Sequence, residues 1–194
     1  MTKTVWETYV ENTKNAKPRP LLVKAVELAK EKNEALDLGS GALNDVRYLV
    51  EIGFKHITAV DAEPVAKDII SNFPPETVDY IISTFENFDF KESHYDLINA
   101  QFALPFNPPA TFNEVWDKIT SSLKSGGVIT GQFFGIRDEW NVEGKKMNFH
   151  TIEETKEYLS SLELVQFRED EADRETAAGN MKHWHVFHFI AIKK

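Results

Sequence analysis

The stretch that decides the fold is Leu36-Asp37-Leu38-Gly39-Ser40-Gly41-Ala42-Leu43-Asn44-Asp45. A short apolar run ends here in two glycines spaced by one residue, and the residues that follow, as far as Ile52, have the periodicity of a helix. Glycine permits a sharp turn and lets a ligand lie against bare backbone amides, while the amino end of a helix offers unpaired N–H donors. The stretch therefore predicts a strand, a ligand-binding turn and a helix, in that order.

Strands and helices alternate on both sides of this turn. Upstream, Pro18-Arg19-Pro20 leads into a helical spacing of apolar residues that ends near Ala29. Downstream, apolar patterns predict strands at 56–61, 78–83, 95–100 and 128–134, with helices at 65–71 and 111–123 and a turn at Gly126-Gly127. Such alternation is typical of βαβ units and of a mostly parallel sheet, which carries its functional loops at the carboxyl ends of the strands.

The last third of the chain has a different pattern. A helix at 151–160 and a strand at 162–168 are followed by a polar stretch, 170–182, and by a final alternating strand at 183–192. The polar stretch has no apolar period and cannot form a packed crossover helix, so we expect the last two strands to pair antiparallel. We interpret the acidic run at 169–173 as a solvated loop.

Composition excludes several classes of protein. The 194 residues include no cysteine, which excludes disulfides, thiolate zinc sites and iron–sulfur clusters. Acidic side chains outnumber basic ones by 31 to 22, which argues against binding to a nucleic-acid backbone. Neither an amino-terminal signal segment nor a run of about eighteen apolar residues is present, so we expect a cytoplasmic protein without a membrane partner.

A second acid supports a nucleoside cofactor. Asp61 stands at the end of the second predicted strand, where a carboxylate accepts the ribose hydroxyls of adenosine. The dinucleotide fingerprint has a third glycine where this chain has Asn44. Asp37, just before the turn, would repel a pyrophosphate and would suit an amino group. These departures disfavour a dinucleotide.

The motif from Leu36 to Gly41 resembles motif I of the class I S-adenosylmethionine-dependent methyltransferases, and Asp61 matches their ribose-binding acid. The final hairpin resembles their reversed seventh strand. Residues 18–194 share the resemblance, which is strongest to small bacterial tellurite-resistance-like methyltransferases. Leu43 stands where many members carry a third glycine, so we expect a wider loop there.

This resemblance implies the fold and the domain plan. The fold is α/β, a Rossmann-like three-layer sandwich whose mostly parallel seven-stranded sheet ends in an antiparallel hairpin. Residues 1–194 form a single methyltransferase domain, in which a helical segment at 1–33 covers the cofactor site.

The resemblance also implies transfer of a methyl group from S-adenosylmethionine to a small-molecule acceptor by in-line displacement, with no metal. Asp37 would face the amino group of the methionine moiety, directly or through water, and Asp61 would hold the ribose. The other implied cofactor residues are Gly39, Ser40 and Gly41 at the methionine backbone, Asn44 and Arg19 near its carboxylate, Ala62, Phe85 and Glu86 at the adenine, and Ala100, Gln101 and Phe102 where the methyl group meets its acceptor.

Several alternatives stay open at this stage. The glycines and Asp61 would also suit an NAD-dependent oxidoreductase or a non-catalytic domain that binds a nucleoside cofactor. His150 is either a general base or the residue before a helix cap, and no catalytic residue is assigned. We favour a core or pocket-rim position over a metal site for His183, His185 and His188. The acceptor could be tellurite, a thiol, an amine or a carboxylate.

Overall fold

The computed structural model describes residues 3–194 as a three-layer α/β sandwich built on one seven-stranded sheet. Its strands are β1 (Glu34–Leu38), β2 (His56–Asp61), β3 (Val78–Ile82), β4 (Tyr95–Ala100), β5 (Leu123–Phe134), β6 (Leu162–Glu175) and β7 (Met181–Lys193). Their order is β3-β2-β1-β4-β5-β7-β6, and β7 runs antiparallel to both neighbours while the other pairs are parallel. The predicted fold class is confirmed. Because the direction of winding reverses between β1 and β4, a crevice opens at the carboxyl ends of these two strands.

Helices cover both faces of the sheet. They are α1 (Val5–Thr13), α2 (Pro20–Leu28), α3 (Asn44–Glu51), α4 (Phe112–Ser122) and α5 (Ile152–Tyr158). Apolar residues of α2 and α3 pack on one face of the sheet, and those of α4 pack on the other together with Leu159, next to α5. The two resulting cores hold the carboxyl end of β1 between them and so fix the position of the glycine turn. Among the described residues, no helix is both long and apolar enough to cross a membrane.

Two local predictions are corrected by the structure. The helix predicted at 65–71 is replaced by two short 3₁₀ turns, Pro64–Ala66 and Ile70–Asn72, because the segment lies between Pro64 and Pro74 and is too short for a stable helix. The turn predicted at Gly126-Gly127 lies within β5, which begins earlier than expected. A Cβ on Gly127 would meet the carbonyl oxygens of Lys124 and Tyr95 at 2.9 Å, so glycine is required where β5 joins β4.

The acidic run at 169–173 is a strand and not the solvated loop that we expected. These residues belong to β6, which pairs with β7 along its whole length. Arg137 binds the carboxylates of Glu169 and Glu171, and His183 contacts Glu171 and Asp173. The run is extended because partners distant in sequence compensate its charges.

A buried ion pair fixes the segment after β5 against β7. The ammonium group of Lys182 lies 2.5 Å from both carboxylate oxygens of Asp138, and both side chains are almost fully buried. The same ammonium lies 3.7 Å from the ring centre of Trp184 and 4.4 Å from that of Trp140. Asp138 also accepts hydrogen bonds from the backbone N–H groups of Trp140 and His185. Removal of the lysine would leave a buried carboxylate without its counter-charge.

We expect Lys182→Met to lower the free energy of unfolding by about 3–5 kcal/mol, the usual cost of breaking a buried ion pair from one side. Addition of Asp138→Asn should recover at least part of this loss, because the remaining carboxylate is then neutralised. Chemical denaturation measures both variants, with Lys145→Met at an exposed position as the control. A single variant as stable as the control would contradict this account of the pair.

Candidate active site

A cavity of about 290 Å³ opens at the carboxyl end of β1, between the glycine turn and the amino-terminal segment. Seven of the predicted cofactor residues line it: Arg19, Asp37, Gly39, Ser40, Gly41, Asn44 and Gln101. The sequence motif thus marks residues that the fold gathers around one cavity.

The glycine turn has a conformation that depends on its residue types. Gly39 has a φ of +72°, and a Cβ built on it would lie 2.6 Å from the Cβ of Ala103, so a larger residue would clash. The N–H groups of Gly39 and Ser40 both donate to the carbonyl of Val60, which ties the turn to β2. Leu43 has a φ of 56°, the left-handed conformation that its glycine counterpart would adopt easily. Its side chain is buried in the core and does not line the cavity.

Asp37 is the most unusual group in the cavity. Its side chain is buried, and its Oδ1 accepts a hydrogen bond of 2.7 Å from the amide of Asn99. Its Oδ2 is buried and has no hydrogen-bond partner among the described residues. Burial, together with the negative charge of nearby Asp45, holds the pKa of Asp37 well above its usual value. The cavity therefore contains an acceptor atom that a cationic donor would stabilise.

Asp61 holds the glycine turn from the neighbouring strand. Its two carboxylate oxygens accept hydrogen bonds from the backbone N–H groups of Gly41, at 2.8 Å, and Glu63, at 3.0 Å. Burial raises its pKa although these hydrogen bonds act in the opposite direction. The carboxylate is thus fixed beside the turn at the end of β2.

Six predicted residues do not line this cavity: Asp61, Ala62, Phe85, Glu86, Ala100 and Phe102. Phe85 still lies close to it, because the tip of its ring is 4.0 Å from a Cβ built on Gly39. Glu86 instead accepts a hydrogen bond from the hydroxyl of Thr111 at the start of α4. Ala62 is exposed and Ala100 is buried within the sheet. Their assigned contacts with a cofactor stay predictions.

The amino-terminal segment forms the far wall of the cavity, and six of its residues line that wall in addition to Arg19. These are Tyr9, Thr13, Ala16, Lys17, Pro18 and Pro20. Two contacts dock the segment on the residues after the turn, and a third is internal to the segment. Asp45 accepts from the backbone N–H of Arg19, the amide of Asn44 donates to the carbonyl of Thr13, and the Arg19 guanidinium donates to the Tyr9 hydroxyl.

Asp45 itself was missed by sequence reasoning, although it follows Asn44 directly. Its other carboxylate oxygen accepts a hydrogen bond from Asn99, so one amide bridges Asp37 and Asp45. A carboxylate in the first turn of α3 is typical of any helix, which is why its position gave no functional signal.

A chain of side-chain amides leads away from Asp37 across the sheet. The Asn99 amide donates to Asp37, the Gln101 amide donates to Asn99, and the Gln132 amide donates to Gln101 at 2.7 Å. The next group is the ring of His188, whose Nδ1 lies 3.4 Å from the Gln132 amide nitrogen. This series of hydrogen-bonded amides therefore connects the first cavity with residues of β5 and β7.

The histidines considered from sequence fall in different environments. His150 lies among the rings of Phe112, Phe133 and Tyr158 and immediately precedes the capping box that starts α5. Burial lowers its pKa. It lines neither described cavity, which favours the interpretation as the residue before a helix cap.

His183 and His185 contact carboxylates that the local sequence pattern does not contain. Ligand atoms of His185, Glu169 and Glu171 lie within 4.8 Å of one another. The guanidinium of Arg137 is bonded to both glutamates and lies 3.1 Å from His185. A cation from the chain thus already compensates this cluster.

Comparison with known proteins agrees with this geometry. Residues 35–127 match the family model described as a methyltransferase domain. The search of curated proteins finds no match.

Three solved structures are similar to this chain. The 1,6-didemethyltoxoflavin-N1-methyltransferase of Burkholderia thailandensis, solved with 1,6-didemethyltoxoflavin and S-adenosylhomocysteine, is 20% identical, with a TM-score of 0.68 over 91% of this chain and 77% of that chain. TehB from Haemophilus influenzae is 17% identical, with a TM-score of 0.77 over 97% of this chain and 67% of that chain. A SAM-dependent methyltransferase from Methanosarcina mazei is 18% identical, with a TM-score of 0.68 over 91% and 98%.

These matches confirm the predicted class of enzyme and, with it, S-adenosylmethionine as the cofactor, and they displace the alternative of an NAD-dependent oxidoreductase. Residues 35–127 therefore match the methyltransferase domain family, and the described chain shares the fold of the S-adenosylmethionine-dependent methyltransferases, as the motif from Leu36 to Gly41 predicts.

Proposed function

We propose that the chain transfers a methyl group from S-adenosylmethionine to a small-molecule acceptor by in-line displacement. The observation that carries the proposal is the buried Oδ2 of Asp37, which lacks a partner in a cavity formed by the glycine turn. An ammonium group is the donor that such an atom requires, because it supplies both a hydrogen bond and the opposite charge. The methionine moiety carries an ammonium group.

The other groups at the turn fit the same ligand. The hydroxyl of Ser40 is buried without a partner in the part of the chain that the structure describes, and the Cβ of a larger residue at Gly39 would clash with Ala103. We assign Asp61, which is fixed at the end of β2, to the ribose hydroxyls. S-adenosylmethionine supplies an activated methyl group when it is bound, so the work of the protein is to position the acceptor and to exclude water.

The shape of the site supports a small acceptor. A second cavity, of about 310 Å³, shares Arg19, Pro20 and Gln101 with the first. This volume is at the lower end of what small-molecule sites enclose. The similar enzyme from Burkholderia thailandensis was solved with the small molecule 1,6-didemethyltoxoflavin, which is a precedent for this class of acceptor on the same fold.

The amino-terminal segment is part of the proposed site. Its contacts with Asn44 and Asp45 place Tyr9 and Thr13 over the glycine turn. We therefore propose that residues 1–194 act as a single methyltransferase domain and that the segment 1–33 covers the bound cofactor.

Titration calorimetry with S-adenosylhomocysteine and with NAD tests the proposal. We expect binding of S-adenosylhomocysteine and none of NAD. The Asp37→Asn variant should bind about 10- to 100-fold more weakly, because a hydrogen bond to a charged group contributes about 1.5–3 kcal/mol. Exposed Asp68→Asn is the matched control. Equal affinities of the two variants would refute the assigned role of Asp37.

Formation of S-adenosylhomocysteine over a panel of acceptors separates an enzyme from a non-catalytic binding domain.

The raised pKa of Asp37 predicts how the ligand-free protein responds to pH. The folded state binds a proton at Asp37 more tightly than the unfolded state does, so this residue lowers the free energy of unfolding as pH rises above its unfolded pKa of about 3.9. Asp37→Asn removes this effect. We expect the melting temperature of the variant, relative to wild type, to be higher at pH 8 than at pH 5, while Asp68→Asn shows no such trend. A difference independent of pH would count against the buried carboxylate.

Tryptic cleavage tests the covering segment. Lys14 lies at the end of α1, and its bond to Asn15 is open to trypsin, whereas the bond after Lys17 precedes a proline. Saturating S-adenosylhomocysteine should slow cleavage after Lys14 by about tenfold or more, because ligand binding suppresses opening of the segment. Cleavage in the exposed loop at Lys145 and Lys146 is the internal control. Equal protection at both places would contradict a local cover.

A further inference from the structure

The second cavity lies beside the first, on the face of the sheet that α2 covers. Ten residues line it: Arg19, Pro20, Leu21, Lys24, Gln101, Phe102, Gln132, Gln166, Arg168 and His188. Gln101 follows the last residue of β4, so this cavity begins at the carboxyl end of the strand beside β1. A molecule in it would lie next to a ligand in the first cavity.

Strand register explains why polar side chains form its floor. In the antiparallel part of the sheet, Gln132 of β5 pairs with His188 of β7, and His188 pairs with Arg168 of β6. Directly paired residues project from the same face, so these three side chains form one row. Gln166, paired with Ile190, lies in the next row on that face.

The lining combines apolar and basic residues. Pro20, Leu21 and Phe102 offer carbon surface, whereas Arg19, Lys24 and Arg168 carry positive charges. None of the ten lining residues is acidic. In a chain with a net charge of −9, a cavity lined by three cations and no acid is a local reversal of charge.

Asp170, the acid that contacts Arg168, does not neutralise the positive charge of this cavity. Asp170 is held by two hydrogen bonds from Arg174, at 2.7 and 2.8 Å, and contacts Arg168 at 3.4 Å. Arg174 thus supplies its main counter-charge. The guanidinium of Arg168 is about half exposed and remains able to bind a second anion.

His188 offers a donor of its own. The amide oxygen of Gln132 accepts from the backbone N–H of Phe102, so the amide nitrogen faces Nδ1 of His188 and makes Nδ1 the acceptor. In the neutral ring the proton is then on Nε2, which is buried; Oδ2 of Asp170 lies 3.8 Å from it, beyond hydrogen-bond distance, and no described residue is closer to bonding with it. Burial and the charge of Arg168 lower the pKa of His188 to about 4, so the ring is neutral at physiological pH.

We propose that this cavity is the methyl-acceptor site and that it takes a small organic acid, whose carboxylate is held by Arg168 with support from Lys24 and His188. The carbon part of the acid lies against Leu21 and Phe102. The proposal rests on the proposed function and names the class of its acceptor. A planar guanidinium matches a carboxylate in geometry as well as in charge, and a bare inorganic anion would leave the apolar lining residues without a contact.

Binding of three probes to the protein saturated with S-adenosylhomocysteine tests this assignment. Benzoate carries both features, benzamide is its neutral counterpart, and sulfate is an anion without a carbon part. We expect benzoate to bind about tenfold or more tightly than benzamide and than sulfate, because the charged contact and the apolar contact each contribute. The binding signal is the ring resonance of His188, assigned by its loss in His188→Gln.

Variants locate the site. Arg168→Gln should abolish the preference for benzoate over benzamide, and Arg168→Lys should keep part of it because the charge remains. Lys118→Gln, which removes an exposed charge on α4, should leave the preference unchanged. Equal binding of benzoate and benzamide by the wild type would overturn the proposal, as would tight binding that is indifferent to Arg168→Gln.

The experiment separates this inference from the proposed function. S-adenosylhomocysteine is titrated first and alone. Failure of that titration would refute the proposed function whatever benzoate does. Binding of S-adenosylhomocysteine without a preference for benzoate would refute only the organic-acid assignment.

Discussion

Burial of the Asp37 carboxylate is the constraint around which the site is organised. An ionised carboxylate removed from water costs several kcal/mol unless hydrogen bonds or an opposite charge compensate it. Asn99 supplies one hydrogen bond, but Asp45 adds a second negative charge nearby instead of removing one. The protein therefore keeps an uncompensated group at the end of β1, and packing elsewhere must stabilise it. The two cores that enclose β1 provide that stability.

The glycine turn shows how the same region stores conformational strain. Gly39, Gly41 and Leu43 all have positive φ values, within five residues. Two of these positions are glycines, for which the left-handed conformation is easy, while leucine at the third is strained. Burial of the Leu43 side chain against the core offsets that cost, since the residue is fully buried. The turn can thus keep its conformation although it lacks the third glycine.

Sequence reasoning succeeded where the signal was local. The apolar run, the two glycines and the following helix are contiguous, and they predicted the strand, the turn and five residues of the first cavity. It failed where the cause was distant. The run at 169–173 looked like a loop, because Arg137 and His183, which compensate its charges, lie far along the chain. Thr13 was missed for the same reason, since only the docking of α1 brings it to the turn.

Amino-acid composition describes the net charge of the protein but not the charges inside its cavities. A net charge of −9 is an average over the whole chain, and ions screen its field within about 8–10 Å. Inside a cavity, the charges within a few ångströms determine which ligands bind. Arg19, Lys24 and Arg168 come from the start of α2, from α2 itself and from β6, and only strand register and helix packing bring them together. Arg174 also contributes, because its guanidinium binds the carboxylate of Asp170 and so leaves the charge of Arg168 available to a ligand. An acidic protein can therefore hold Asp37 and Asp45 at its amino-group site and a basic cavity without acids directly beside it, with Arg19 and Gln101 lining both.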